Sequence, residues 1–431
     1  MTQARTDWVA GDMTGMRIPA HGGALLAGGE SFLTSAFQAG GLLERDNRVA
    51  KITEFQEFAG GSTGRKALLS VSYERAAGAP PTQLFVKFSR DFDDTIRDQA
   101  RRQMESEVHL ASLSRLPAFP IAVPACLFAD YQHDSGTGIL ITQRIFFGTD
   151  GIERHYEKCR DYEMPSMLEH YQALMRALGK LAGTHKAGRL PPDVSARFSF
   201  DPDRLAVSER APYTAQQLQN RVSRLAEFAS RYPQLLPPDV ASQSFIARLR
   251  DQVVAFPEHE AGIKRLLHRR PELIALCHWN ANVDNAWFWR NGGGQIECGL
   301  MDWGHVSQMN IAMALWGALS AAEIELWDRH LDGLLGLFDR EFQACGGPAL
   351  DLEALQLHLN LYIALMGLAW LLDVPASLQR QIPDLESVAD RFDPRLVEHE
   401  SARTRLQMMS TFLHLWQTRD FPGALRRYLR G

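Results

Sequence analysis

The stretch from Ile274 to Val306, IALCHWNANVDNAWFWRNGGGQIECGLMDWGHV, holds the residues of this chain whose types and spacing best suit chemistry. His278, Asn280, Asn285 and Asp302 fall where apolar runs stop. An Asn seven residues after a His, then an Asp seventeen residues further on beyond a Gly-rich turn, is a phosphoryl-transfer layout. It places a base, an amide ligand and a carboxylate around one metal and its phosphates. The elements that must position them read as strand, polar loop, strand, turn, strand. The turn, Asn291-Gly292-Gly293-Gly294, suits residues that need positive φ.

At these residues the chain resembles the aminoglycoside-phosphotransferase-like kinases, in the branch that includes ecdysteroid-kinase-like and choline-kinase-like small-molecule kinases. His278-Trp279-Asn280 with Asn285 is similar to their His-Gly-Asp…Asn loop, and Met301-Asp302-Trp303 to their metal-binding Asp-Trp or Asp-Phe. The resemblance implies an α+β, two-lobed protein-kinase-like fold. Its N-lobe is a small antiparallel β-sheet with one helix, and its C-lobe is large and mainly α-helical. It also implies ATP and Mg²⁺ as cofactors, Asn285 and Asp302 on the metal, and Asn280 and His278 as the catalytic residues of the loop. One departure stands out: the family's catalytic Asp is here Asn280, and an amide takes no proton from a hydroxyl at neutral pH. General-base assistance contributes on the order of 10² to 10⁴ in rate, so its loss attenuates transfer without abolishing it. Asn280 would then hold the acceptor hydroxyl by a hydrogen bond. Asp284 and His278 are substitute bases nearby; alternatively, Asp284 faces solvent and His278 braces the loop. A second departure is Ser307 to Met313, which carries no acid where the family has a Gly-Asp-Pro turn and an Asp opening the next helix.

Upstream, Val49 to Phe58 and Ala67 to Tyr73 read as strands around Gly60-Gly61-Ser62-Thr63-Gly64. Such a hairpin can lie over phosphates, because glycines admit close backbone approach and free N–H groups face the anion. It serves equally as a plain surface hairpin. Gln83 to Ser89 places a single Lys87 in an apolar run, and lysine is rarely buried without a partner. The resemblance makes Lys87 the α- and β-phosphate ligand and assigns its partner to the following helix, Arg101 to Leu116. Glu107 fits the family pattern better than Glu105. The alternative is an edge lysine snorkelling to solvent. Cys126 to Tyr131 and Gly138 to Ile145 read as further strands, leading to a hinge, Gln143, Arg144 and Ile145, whose backbone would bind an adenine ring.

The domain reading is an arm over 1–28, a nucleotide-binding N-lobe over 29–148 that opens with a helix from Gly29 to Leu43, and a helical C-lobe over 149–431 with the catalytic-type loop at 277–303. From Met164 the spacing turns helical. The block from 190 to 270, punctuated by Pro191, Pro192, Pro202, Pro237 and Pro238, would shape the acceptor pocket. Its aromatics Tyr213, Phe228, Tyr232, Phe245 and Phe256 suit a core equally well. Leu355 to Leu372 is interrupted by Gln356, His358 and Asn360 and reads as a buried core helix, with no membrane span.

At 431 residues, 45% apolar and 23% charged, the composition is that of a globular protein with sizeable cores. A net charge of −5 gives no general pull towards nucleic acid or anionic membrane. Five scattered cysteines without a CxxC pair point to a reducing, cytoplasmic setting, and the polar N-terminus lacks a signal-peptide core. Two functions compete. One is an ATP/Mg²⁺-dependent phosphotransferase acting on the hydroxyl of a small-molecule metabolite, with an acceptor that is hydroxylated or amphipathic. The other is a catalytically silent kinase-fold protein that binds nucleotide or metabolite. An aminoglycoside is disfavoured, because a polycation wants an acidic cleft and the block from Met164 to Arg270 is rich in Arg. Oligomeric state is not legible.

Overall fold

The computed structural model describes residues 6–58, 60–61, 63–201 and 213–430; Ser62 and Pro202 lie outside the described residues. The chain forms two compact units. A sheet unit comprises Met1–Arg154, Leu190–Phe198 and Gly299–Val306, and a helical unit comprises His155–Arg189, Ser199–Cys298 and Ser307–Gly431. The class is the α+β one expected, with a small antiparallel sheet and a larger helical body. The division differs from the expected 29–148 and 149–431, because residues 299–306 belong with the sheet. Gly299 bridges Ala122 in parallel, and Leu300 N–H donates to the Ala122 carbonyl at 3.0 Å.

In the sheet unit, β1 (Trp8–Ala10) pairs with β2 (Arg17–Pro19). The main sheet contains β3 (Val49–Phe58), β4 (Arg65–Tyr73), β5 (Gln83–Phe88), β6 (Cys126–Gln132) and β7 (Thr137–Gln143). Its order is β3-β4-β5-β7-β6, antiparallel throughout. Strand periodicity sends alternate side chains to opposite faces. Leu84, Val86 and Phe88 of β5 therefore enter a core with Leu69, Val71, Ile139 and Ile141, closed by Leu25, Phe32, Leu33 and Phe37 of α1 (Gly22–Ala39). Lys87 takes the other face. It pairs in register with Leu140, which packs with Met104, Val108 and Ala111 of a second helix.

That helix departs from the expected Arg101 to Leu116. The chain runs through α2 (Thr95–Gln99), capped by Asp94, then a short 3-10 turn, then α3 (Met104–Leu113). The expected loose arm over 1–28 is also corrected. Ile18 and Leu25 are fully buried, and α1 starts at Gly22, where His21 Nδ1 accepts from Ala24 N–H at 3.2 Å. Gly29, at φ 53°, is non-helical and kinks the stretch into two helical segments, the second of which begins where the helix was expected.

The helical unit is built on α4 (Met167–Lys186). Beside it lies a two-stranded pair of β8 (Ile274–Cys277) and β11 (Ser307–Asn310), with the β9 (Ala286–Arg290) and β10 (Ile296–Leu300) hairpin between them in sequence. Helices Ile311–Leu319, Ile324–Ala344, Leu352–Met366, Glu400–Thr418 and Phe421–Arg430 follow. The last two are separated where Asp420 takes φ 43°. The helical stretch Leu352–Gln381 is apolar enough to cross a membrane, but 83% of its most apolar window is buried, as a core helix requires. Phe228, Tyr232, Phe245 and Phe256 are also buried core.

Candidate functional site

The sheet unit brings three of the expected residues together. Lys87 Nζ donates to Glu107 Oε1 at 2.6 Å and to Asp302 Oδ1 at 2.9 Å. β5 supplies the lysine and α3 the glutamate, whose side chain is 8% exposed against 16% for the lysine. Glu105, the other candidate, turns instead to His133 at 2.7 Å. Burial alone would lower the Lys87 pKa, but the Asp302 and Glu107 carboxylates overcome it and raise the ammonium above its usual range.

Asp302 is set by the turn after β10. It takes φ 62°, a left-handed conformation uncommon for a residue with a side chain. Trp303 fixes the turn: its indole N–H donates to the Leu300 carbonyl at 3.0 Å, and its backbone N–H to Glu107 Oε1 at 3.3 Å. Of the glycine loop, Gly60, Gly61, Thr63 and Gly64 are described and Ser62 is not. Gly64 takes φ 50°, and a Cβ there would lie 1.8 Å from the Phe88 carbonyl oxygen. Only glycine lets the loop return so close to the end of β5.

Two cations at this loop were missed. Lys66 of β4 pairs directly with Lys87 of β5, and its ammonium donates to the Gly60 carbonyl. Arg97 Nη2 donates to the Gly61 carbonyl at 2.8 Å. Pairing register reveals Lys66, which in sequence is one more charge in a polar run. The expected hinge is narrowed: Gln143 N–H donates to the Ala125 carbonyl at 2.8 Å and Arg144 N–H to that of Gln83 at 3.0 Å. The sheet therefore consumes both donors, leaving Ile145 as the N–H position of the three open to a ring.

The catalytic-type loop belongs to the helical unit. His278 is 1% exposed, and its Nδ1 accepts from Asn280 N–H at 3.1 Å. That bond ties the His278 ring to the backbone of the loop. Asn280 Oδ1 accepts from Asn282 Nδ2 at 2.7 Å and from Lys158 Nζ at 3.4 Å. Asn285 Nδ2 donates to the Asn280 carbonyl at 2.8 Å. Asp284, expected to face solvent as one alternative, is half-buried, and its carbonyl accepts from His155 Nε2 at 2.9 Å. Lys158 and His155 come from a distant part of the sequence and carried no signal there.

The remainder of the loop is held by packing. Trp279 donates its indole N–H to Tyr362 Oη at 2.9 Å. Helix Ile311–Leu319 lies so close that a Cβ on Gly317 would be 1.5 Å from the Trp279 carbonyl oxygen. Where the family has an acid opening this helix, Asn310 does the capping: its Oδ1 accepts from Ala312 N–H at 2.9 Å. Its Nδ2 donates to the Leu267 carbonyl at 2.7 Å. A neutral cap of this kind serves the helix start as well as an acid.

No family model matches the chain, and no curated protein does. Solved structures do. A microcompartment-associated aminopropanol kinase overlaps 91% of this chain and 98% of its own, at 14% identity and a TM-score of 0.46. A choline kinase from Cryptosporidium parvum Iowa II overlaps 93% and 99%, at 12% identity and a TM-score of 0.40. An aminoglycoside-3'-phosphotransferase of type VIII overlaps 73% and 93%, at 17% identity and a TM-score of 0.34.

Asp302, in the sheet unit and with a side chain 55% exposed, is a hard oxygen donor of the type Mg²⁺ takes. That ion typically uses one or two carboxylates together with substrate phosphates and water. Among the described residues no group of three or more His, Cys, Asp or Glu gathers as a metal cage, so a magnesium ion here would lean on nucleotide phosphates. The donor set fits that role.

Proposed function

We propose that the chain is an ATP- and Mg²⁺-dependent phosphotransferase acting on the hydroxyl of a small-molecule metabolite in the cytoplasm, with a rate attenuated by Asn280. The supporting observation is Lys87, a largely buried ammonium held by Glu107 at 2.6 Å and Asp302 at 2.9 Å. A sheet lysine gains nothing structurally from such a triad that an apolar residue would not supply more cheaply. As a phosphate ligand it needs both its charge and its fixed direction.

In this reading the backbone N–H groups of Gly60, Gly61, Ser62, Thr63 and Gly64 cradle phosphate oxygens, and Lys87 neutralises them. Asp302 and Asn285 supply the oxygen ligands of Mg²⁺, which when bound offsets charge on the transferring group. Ile145 offers the hinge N–H. Asn280 orients the acceptor hydroxyl through its amide, and the proton leaves late, to phosphate or solvent. Positioning and charge neutralisation carry most of the rate in such transfers, so the missing base is affordable.

One observation favours the second reading, a silent nucleotide-binding protein. Asn280 Oδ1 is already engaged by Asn282 and Lys158, which leaves only the amide N–H groups for a substrate. Release of ADP across a panel of small alcohols separates the two. Turnover supports the phosphotransferase, and Asn280→Asp should raise kcat by about 10²-fold or more with little change in ATP affinity. Nucleotide binding without turnover in either protein would leave the silent reading.

A further inference from the structure

We propose that Lys66 is a second polyphosphate ligand of the sheet unit, so that the unit grips the phosphate chain of a nucleotide with two ammonium groups side by side. The inference rests on the nucleotide-binding reading above and extends it to a residue outside the expected site.

Lys66 and Lys87 are direct cross-strand partners, so their side chains leave the same face of the sheet. Like charges directly opposite one another destabilise a sheet, and here both are at least half-buried. The two carboxylates at hand, Glu107 and Asp302, are both bonded to Lys87. Lys66 forms no ion pair among the described residues; its ammonium is directed at the glycine loop, where the Gly60 carbonyl accepts from it. A Cβ built on Gly61 would stand 2.9 Å from the Lys66 Nζ, so the backbone of the loop rests against that group. A second cation approaches the same loop: Arg97 Nη2 donates to the Gly61 carbonyl at 2.8 Å, and its Nη1, buried without a hydrogen-bond partner, lies 4.0 Å from Asp91 Oδ2. One neutral carbonyl leaves the ammonium charge unopposed, whereas a phosphate oxygen adds the opposite charge to the same hydrogen bond.

Burial and the neighbouring Lys87 charge bring the Lys66 pKa down to about 8, as expected for a cation stationed where an anion is missing. A local rule broken with only partial compensation in the free protein, here from Asp302 and Glu107, marks a place where a ligand can complete it. The phosphate chain of a nucleoside di- or triphosphate has the charge and the reach to touch both lysines.

Calorimetric titration of the full chain with Mg·ATP and with adenosine tests this. Lys66→Met should weaken Mg·ATP binding about 10- to 100-fold and leave adenosine binding as it was, while Lys66→Arg should recover most of the loss. Wild-type affinity for Mg·ATP should also fall as pH rises through about 8, a readout that serves if the Met variant does not fold. Unchanged Mg·ATP affinity in Lys66→Met, with binding abolished in Lys87→Met, would overturn the role of Lys66 and leave the nucleotide reading intact. A parallel loss of adenosine would also overturn it, by showing that Lys66 merely ties the loop. Absence of Mg·ATP binding by the wild type would overturn both.

Discussion

Removal of the Glu107 carboxylate probes the triad most informatively, because the structure sets both what is lost and what remains. Glu107→Ala deletes the bond from Lys87 at 2.6 Å and the longer one from Trp303 N–H at 3.3 Å. A hydrogen bond to a charged group contributes about 1.5–3 kcal/mol and an ordinary one about 0.5–1.5 kcal/mol. Asp302 stays on Lys87, so the cost should stop short of a fully orphaned buried ion, about 3–5 kcal/mol. A loss of about 2–4 kcal/mol follows. Urea unfolding of the wild type, Glu107→Ala, Lys87→Met and the double variant, followed by tryptophan fluorescence, closes a double-mutant cycle. The coupling between the two positions should be about 1.5–3 kcal/mol. Single-variant effects that simply add, to within about 0.5 kcal/mol, would refute the ion pair as drawn.

Gly317→Ala should be among the most damaging substitutions in the helical unit, since its Cβ would meet the Trp279 carbonyl at 1.5 Å. A lowered melting temperature together with lost turnover is expected, and a variant with wild-type stability would show that the helix and loop are not in contact there. Asp161 gives a pH signature. Burial raises its carboxyl from 3.8 to about 7, against the stabilising bond from Tyr171 Oη at 2.5 Å. The unfolded chain releases this proton near pH 4 and the folded chain only near pH 7. The folded state therefore holds more protons between those values, and stability falls as pH rises across them, by on the order of 2–4 kcal/mol. Thermal midpoints at pH 5 and pH 8 should differ less in Asp161→Asn than in the wild type; identical pH slopes would contradict the burial argument.

The residues most legible in the sequence were those that break a local rule. Lys87 interrupts an apolar strand and Asp302 ends one, and the fold brings both to Glu107, which sat on the expected helix. Lys66, Arg97 and Lys158 were not legible, because each is an ordinary surface-type charge until strand register or a distant loop places it. Gly317 was invisible for a similar reason: a glycine in an apolar helix shows its purpose only when the Trp279 carbonyl is seen against it. The expected helix start at Gly29 coincides with the kink in α1, and the segment before it was not legible because its glycines mask the buried Ala24 and Leu25. The hinge is narrower than the sequence implies, because the sheet takes the N–H groups of Gln143 and Arg144.

The central claim is that Lys87 and Asp302 are arranged to hold a metal-bound nucleotide. Titration calorimetry with Mg·ATP on the wild type and on Asp302→Ala tests it most directly. Saturable binding by the wild type at or below millimolar Mg·ATP, with the magnesium dependence lost in Asp302→Ala, is the result expected. No heat of binding at millimolar Mg·ATP, or binding in Asp302→Ala equal to that of the wild type and equally dependent on magnesium, would contradict it.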